Sequence, residues 1–160
     1  MEESLTGEKT SLFIEIKDKF NINTPDLRTY SPLALAFIGD AVYEIVIRSL
    51  VVGRKNLPPQ KLHRISSSLV KASAQASVLD AVSDLLTEEE QNIARRGRNA
   101  QPKTIAKHAT ASDYHNATAL EAVIGYLYLS GQRERILELI REGLLRTGQY
   151  PAKKEERSDQ

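Results

Sequence analysis

The chain of 160 residues contains no cysteine and no tryptophan, and aromatic residues make up 6% of it. The lack of cysteine excludes a disulfide scaffold and a zinc site built on thiolates. The few, scattered aromatic side chains offer no platform on which single-stranded bases could stack. No apolar run reaches the roughly 18 residues that a membrane-spanning helix needs, and the acidic start of the chain is unlike a secretory signal. We therefore expect a soluble protein of the cytoplasm.

The sequence also lacks a strong charge of either sign and several common catalytic motifs. Lysine plus arginine number 22 and aspartate plus glutamate number 21, so the net charge indicates no particular partner. There is no glycine-rich phosphate loop, no nucleophile elbow and no dinucleotide fingerprint. A functional signal must then come from the local arrangement of charged side chains.

Apolar residues recur at helical spacing along the chain, and no segment alternates with the period of a strand. We predict an all-α protein, a helical bundle of about seven helices. One domain is expected at 1–150, followed by a disordered polar tail at 151–160. Segment 60–86 fits either one long helix or two helices with a bend, and segment 97–110 is predicted to be a loop.

Local signals predict where two of the helices begin. Ser31 followed by Pro32 is typical of a helix start, and Thr87 with Glu90 forms a capping box. The helix that begins after Ser31 is apolar on nearly every face, and we expect it to end at Gly53. Its composition predicts a helix buried on all sides at the centre of the core.

Two acidic residues stand inside otherwise apolar helical segments, Asp40 in one and Glu121 in another. An unpaired charge removed from water costs several kcal/mol, so each carboxylate needs a partner. Small residues beside both acids would let the two helices approach closely: Gly39, Ala41, Ala122 and Gly125. Carboxylate oxygens suit hard cations such as Mg²⁺, which keeps several waters and needs few protein ligands. We predict that Asp40 and Glu121 share one divalent cation.

A simpler interpretation of the two acids stays open. Each carboxylate could pair with an arginine, for instance Arg48 or Arg64, in an ordinary salt bridge. Glu44 lies one helical turn after Asp40 and could be a further ligand. A salt bridge from Glu44 to another helix is the role that we expect.

Positive charge is concentrated between Glu90 and Asp113, a part of the chain that contains no acidic residue. Guanidinium and ammonium groups bind phosphate oxygens, which predicts contact with a nucleic-acid backbone. The shortage of aromatic residues favours a duplex that is recognised through its backbone and 2′-hydroxyl groups. The candidate RNA-binding residues are Arg95, Arg96, Arg98, Asn99, Lys103 and Lys71. The alternative is a charged loop that is merely solvated.

Three segments resemble the catalytic domain of the ribonuclease III family. Residues 35–42 (LAFIGDAV) resemble its signature helix, and residues 120–129 (LEAVIGYLYL) resemble its second catalytic helix. Residues 96–100 (RGRNA) are similar to a loop that characterises mini-ribonuclease III, the bacterial branch that consists of the catalytic domain alone. The similarity extends over residues 31–145.

The resemblance implies a symmetric homodimer that cuts both strands of double-stranded RNA, leaves 5′-phosphate and 3′-hydroxyl ends and matures the 23S ribosomal RNA precursor. It implies Mg²⁺ as cofactor, with Asp40 and Glu121 as the catalytic metal ligands. The chain departs from the full-length family at two positions, where Ala36 replaces a glutamate and Thr118 an aspartate. We expect no separate RNA-binding domain after Gln160, so a large-subunit ribosomal protein on the substrate could assist binding.

Two rival functions remain open. The two absent acids are compatible with a non-catalytic RNA-binding or ribosome-associated protein on the same fold. Asp113 and His115 could instead bind a metal in a helical phosphohydrolase that acts on small nucleotides, although neither has a ligand partner one turn away. His63 is expected on a helix surface.

Overall fold

The structure, a computed structural model, describes residues 11–100 and 110–150. These residues form seven α-helices and two short 3-10 turns and contain no strand, which confirms the all-α prediction. The helices are α1 (Leu12–Phe20), α2 (Pro32–Arg54), α3 (Pro59–Val70), α4 (Ala72–Val82), α5 (Glu88–Asn99), α6 (Ala111–Leu129) and α7 (Arg133–Thr147). The 3-10 turns are Leu27–Thr29 and Ser83–Leu85. Lys103 and the predicted tail at 151–160 lie outside the described residues.

Helices α2 and α6 cross at the centre of the bundle. Helix α6 packs against α2, α4, α5 and α7, and nine of its residues are buried. A helix that is apolar around most of its circumference is stable only when other elements surround it. The largest fully buried side chains of these two helices are Leu35, Tyr43, Ile47, Leu120, Ile124 and Leu127. No helix of the described part is long and apolar enough to cross a membrane.

The crossing of α2 and α6 depends on two glycines. A Cβ atom at Gly39 would overlap the carbonyl oxygen of Glu121, and one at Gly125 would overlap the carbonyl oxygen of Leu35. The backbones therefore touch at both positions, closer than any residue with a side chain allows. The close approach predicted from the small residues is confirmed. Because Asp40 follows Gly39 directly and Glu121 forms part of the contact, the crossing brings the two acidic residues to one place.

The predicted helix starts are confirmed by their caps. Ser31 Oγ accepts a hydrogen bond from the N–H of Ala34 at 3.1 Å. In the capping box, Thr87 Oγ1 accepts from the N–H of Glu90 at 3.1 Å, and the Glu90 carboxylate accepts from the N–H of Thr87 at 2.9 Å. Segment 60–86 contains two helices followed by a 3-10 turn, because the extended backbone of Lys71 separates α3 from α4.

Two predicted helix ends are wrong. Helix α2 continues through Gly53, and α5 continues through Gly97 to Asn99. The basic residues around Gly97 therefore lie on a helix, and the loop predicted at 97–110 cannot begin before residue 100. A Cβ at Gly97 would lie 2.9 Å from the Cα of Ala119 on α6. This glycine permits close packing of two helices and does not end one.

Helix α2 is not buried on all sides, contrary to the prediction. Residues spaced by four positions form an exposed apolar stripe on it: Leu33, Phe37, Ala41 and Ile45. Phe37 is 83% exposed and Ile45 is 61% exposed. Apolar residues on every face of a helix indicate that each face packs against another element. They do not indicate whether that element belongs to the same chain.

Replacing Gly39 with alanine is expected to lower the free energy of unfolding by at least about 3 kcal/mol, because the added methyl group must push two helix backbones apart. The matched control is Gly53→Ala on the same helix, where a Cβ meets nothing within 4 Å. There alanine should stabilise the protein by up to about 1 kcal/mol. Urea unfolding followed by circular dichroism measures both variants, and equal effects would contradict the close crossing.

Candidate active site

Asp40 and Glu121 line one cavity between α2, α4 and α6. The cavity has a volume of about 930 Å³. Asp40 lies at its exposed edge, and Glu121 is partly buried in its wall. Further polar side chains in the wall are Glu44, Arg48, Gln75, Tyr114 and Thr118. The structure thus brings together the two acids that the sequence singled out, and their catalytic role stays a prediction.

Within the described residues, neither acid forms an ion pair with an arginine. Arg48 pairs with Glu44, with 2.9 Å between Nη2 and Oε1. The expected bridge from Glu44 to another helix is wrong, because this pair lies within α2. Arg64 is exposed on α3. His63 is also exposed on α3, which confirms its predicted position on a helix surface. The salt-bridge interpretation of Asp40 and Glu121 therefore finds no support in the described part of the chain.

Burial and neighbouring negative charge raise the pKa of both carboxyl groups. Burial, with a smaller contribution from the charge of Asp40, raises the pKa of Glu121 to about 8. Partial burial also raises the pKa of Asp40, with a further contribution from the charge of Glu44. The pKa of Tyr43 is raised by its own burial and by the charge of Glu121. Two negative charges in this cavity are thus unfavourable unless a cation joins them.

The available donor atoms fit a hard divalent cation with few protein ligands. Across residues 11–100 and 110–150, no group of three or more histidine, cysteine, aspartate or glutamate side chains could hold a metal ion. Two carboxylates in an open cavity suit Mg²⁺, which prefers oxygen and retains several waters. Ala36 and Thr118 line the same cavity without adding a carboxylate. The Thr118 hydroxyl donates to the carbonyl of Tyr114 at 3.0 Å.

The predicted RNA-binding side chains that the structure describes lie outside the wall of this cavity. Four of them are exposed on α5: Arg95, Arg96, Arg98 and Asn99. Arg98 Nε donates to Asn116 Oδ1 on α6 at 2.8 Å. Lys71 is exposed at the junction of α3 and α4, and its neighbours Val70 and Ala72 do line the cavity. That these residues contact RNA stays a prediction.

A second hollow, of about 580 Å³, lies where α5 ends and α6 begins. Its wall is formed by Arg98, Asn99, Ser112, His115 and Asn116. The sequence predicts Ser112 just before the start of a helix and gives no signal at Asn116, although their spacing with His115 places all three on one face of a helix. Asp113 does not line this hollow, and within the described ranges His115 belongs to no group of three or more side chains that could hold a metal ion.

A cavity between helices that is lined by two carboxylates agrees with what the comparisons with known proteins show. The family described as Ribonuclease III domain matches residues 33–132. The chain belongs to the ribonuclease III family and is an endoribonuclease by class. Enzymes of this type generally depend on a metal ion and act on double-stranded RNA.

Named relatives and a solved structure match most of the chain. Mini-ribonuclease 3 of Brevibacillus brevis is 45% identical over 119 residues, which are 74% of this chain and 89% of that protein. Mini-ribonuclease 3 of Enterococcus faecalis is 43% identical over 126 residues, 78% of this chain and 96% of that protein. The crystal structure of a protein from Fusobacterium nucleatum matches this chain with a TM-score of 0.70 and 33% sequence identity. The match covers 79% of this chain and 100% of the Fusobacterium nucleatum chain.

Without metal, the protein should lose stability as the pH rises. The pKa of Glu121 is about 8 in the folded chain against an ordinary value of 4.5. Between these values the folded chain holds a proton that the unfolded chain has lost, so the free energy of unfolding falls with rising pH. Glu121→Gln should flatten this dependence, whereas replacement of the exposed Glu88 by glutamine should not. Urea unfolding in chelator at about pH 5 and about pH 8 tests the prediction, and parallel slopes for all three proteins would contradict it.

Proposed function

We propose that the protein is a Mg²⁺-dependent endoribonuclease that cleaves double-stranded RNA, leaves 5′-phosphate and 3′-hydroxyl ends and matures the 23S ribosomal RNA precursor in the cytoplasm. The observation that carries the proposal is the presence of Asp40 and Glu121 in one cavity, at the glycine crossing of α2 and α6. The ribosomal substrate rests on the resemblance to the mini-ribonuclease III branch. A large-subunit ribosomal protein on that substrate would assist binding.

Asp40 and Glu121 are the residues that would hold the ion. Mg²⁺, when bound, activates water for attack on phosphorus and stabilises negative charge on the phosphate. The pKa of about 8 leaves the metal-free Glu121 carboxyl mostly protonated at neutral pH, so Glu121 would hold the ion only as the carboxylate, without that proton. The backbone contact at Gly39 keeps α2 and α6 in place. The close packing of the two helices at this contact opposes a shift that would separate the carboxylates when their charges repel.

The exposed basic residues would bind and orient the duplex through its phosphates. The arginines Arg95, Arg96 and Arg98 lie on α5 beside the neutral Asn99, Lys71 is exposed as well, and Lys103 is a predicted contact outside the described residues. Gly97 holds α5 directly against α6, the helix that carries Glu121. The basic face of α5 therefore keeps a fixed position relative to the carboxylates. Phosphate contacts of this kind set the orientation of a duplex without reading its sequence.

The apolar stripe on α2 supports a symmetric homodimer. All four of its residues, Leu33, Phe37, Ala41 and Ile45, also line the cavity. Their exposure in a single chain is unfavourable, because each apolar Å² left in water forfeits about 25 cal/mol. A second copy related by a two-fold axis would cover the stripe with the same stripe and would border both cavities. Such a dimer presents two sites, one for each strand of the duplex.

Asp40→Asn is expected to lower the cleavage of a long RNA duplex in Mg²⁺ by several orders of magnitude, with folding and duplex binding retained. The amide keeps the size of the carboxylate but lacks the charge that holds the cation. Gel assays of cleavage with Mg²⁺ or chelator, and mobility shifts for binding, measure the two properties. Near-normal cutting by this variant would contradict the assignment.

The same assays separate the two rival functions. A wild-type protein that yields no product at any Mg²⁺ concentration would favour the non-catalytic RNA-binding protein, which the absent acids at Ala36 and Thr118 motivate. His115→Ala should leave duplex cleavage nearly unchanged. The phosphohydrolase with Asp113 and His115 is correct under two conditions. The wild type must hydrolyse small nucleotides without cutting duplex RNA, and His115→Ala must abolish that hydrolysis.

Phe37→Glu should convert a dimer into a monomer and strongly reduce duplex cleavage. A carboxylate placed in an apolar interface loses its water without gaining a partner, which costs several kcal/mol. The matched control is Phe20→Glu at the end of α1, because Phe20 is 73% exposed and lies outside the stripe. Size-exclusion chromatography with light scattering gives the mass of each protein. The homodimer is wrong if the wild type is monomeric or if both variants remain dimeric.

A further inference from the structure

Gln75 on α4 lines the same cavity as Asp40 and Glu121 and is 3% exposed. Its Nε2 donates a hydrogen bond to the carbonyl oxygen of Val70 at 2.8 Å. A carbonyl oxygen can only accept, so this bond fixes the orientation of the Gln75 amide. The nitrogen is held at the end of α3, and Oε1 is left as the free end of the side chain.

The Oε1 atom of Gln75 is buried and has no hydrogen-bond partner among the described residues. A buried acceptor that stays unpaired destabilises a protein by roughly 1–3 kcal/mol, and methionine would fill the same space without that penalty. The free acceptor belongs to a residue that lines a cavity with two carboxylates. It therefore complements a hydrogen-bond donor, and not a phosphate oxygen or another acid.

We propose that Gln75 is a positioning residue whose Oε1 accepts a hydrogen bond from a water in the hydration shell of the cation held by Asp40 and Glu121. This inference rests on the proposed function, since it requires the ion. Mg²⁺ with two protein ligands keeps several waters, and these waters are donors that need acceptors. The Thr118 hydroxyl donates its hydrogen to the carbonyl of Tyr114, and its oxygen keeps lone pairs that can also accept from a water. Among the described residues that line the cavity, Gln75 is the one with a buried acceptor that lacks any partner.

Gln149 offers a matched control within the same chain. Its Oε1 is also buried without a partner in the described part of the structure. Its Nε2 likewise donates to a main-chain carbonyl, that of Ala74, at 3.2 Å, and also to Thr147 Oγ1 at 2.9 Å. Gln149 does not line the cavity. Replacing either glutamine by methionine removes an equivalent amide, but only one of the two lies beside the proposed ion.

The test is the affinity of the full chain for Mn²⁺, measured without RNA from the electron paramagnetic resonance signal of the free ion. Gln75→Met should weaken Mn²⁺ binding by about tenfold or more, whereas Gln149→Met should change it by less than about twofold. Circular dichroism confirms that each variant is folded at the temperature of the titration. A role of Gln75 confined to holding Val70 would change thermal stability and leave the affinity of the folded protein unchanged.

The proposal is overturned if Gln75→Met binds Mn²⁺ as tightly as the wild type, or if Gln149→Met weakens binding equally. Should Gln75→Met fail to fold, Gln75→Glu gives the answer. A carboxylate at this position should tighten Mn²⁺ binding, and unchanged or weaker binding would overturn the placement of Gln75 beside the ion. A wild type that binds no Mn²⁺ contradicts the proposed metal-dependent function itself. If the wild type binds Mn²⁺ and Gln75→Met binds it with equal affinity, only the role of Gln75 is contradicted.

Discussion

The direct backbone contact between α2 and α6 is the constraint on which the rest of the structure depends. Gly39 and Gly125 meet the main chain of the opposite helix at positions where no side chain fits. Because the contact involves the backbone of Glu121 and the residue before Asp40, the same constraint sets the core packing and the spacing of the two acids. Fold and candidate site are therefore one feature of this protein, and a change in the crossing must alter both.

The site that results is unfavourable to the metal-free fold. Burial and the charge of Asp40 raise the pKa of Glu121 to about 8. Gln75 adds a buried acceptor without a partner in the described residues, and Tyr43 adds a buried hydroxyl in the same situation. Local departures from good packing rules are expected at functional sites, where a ligand compensates for them. A divalent cation with its waters would satisfy the carboxylates and would explain why the partly buried Glu121 is tolerated beside the apolar core.

The helix starts were predictable, whereas two of the helix ends were not. Ser31, Thr87 and Glu90 act on backbone groups three residues away, so their effect can be read from the sequence alone. Gly53 and Gly97 suggested helix ends, yet both lie inside helices. A glycine that ends a helix and a glycine that admits a neighbouring helix are identical in sequence. Only the position of Ala119 on α6 distinguishes the second case at Gly97.

The sequence by itself determined the all-α fold, the two acids inside apolar helices and the small residues beside them, because helical period and capping are local properties. Only the tertiary structure decided that Asp40 and Glu121 face one cavity and that Arg48 pairs with Glu44. It also decided that one face of α2 stays uncovered and that Gln75 reaches the site. These outcomes depend on which faces of distant helices meet, and no local pattern contains that information.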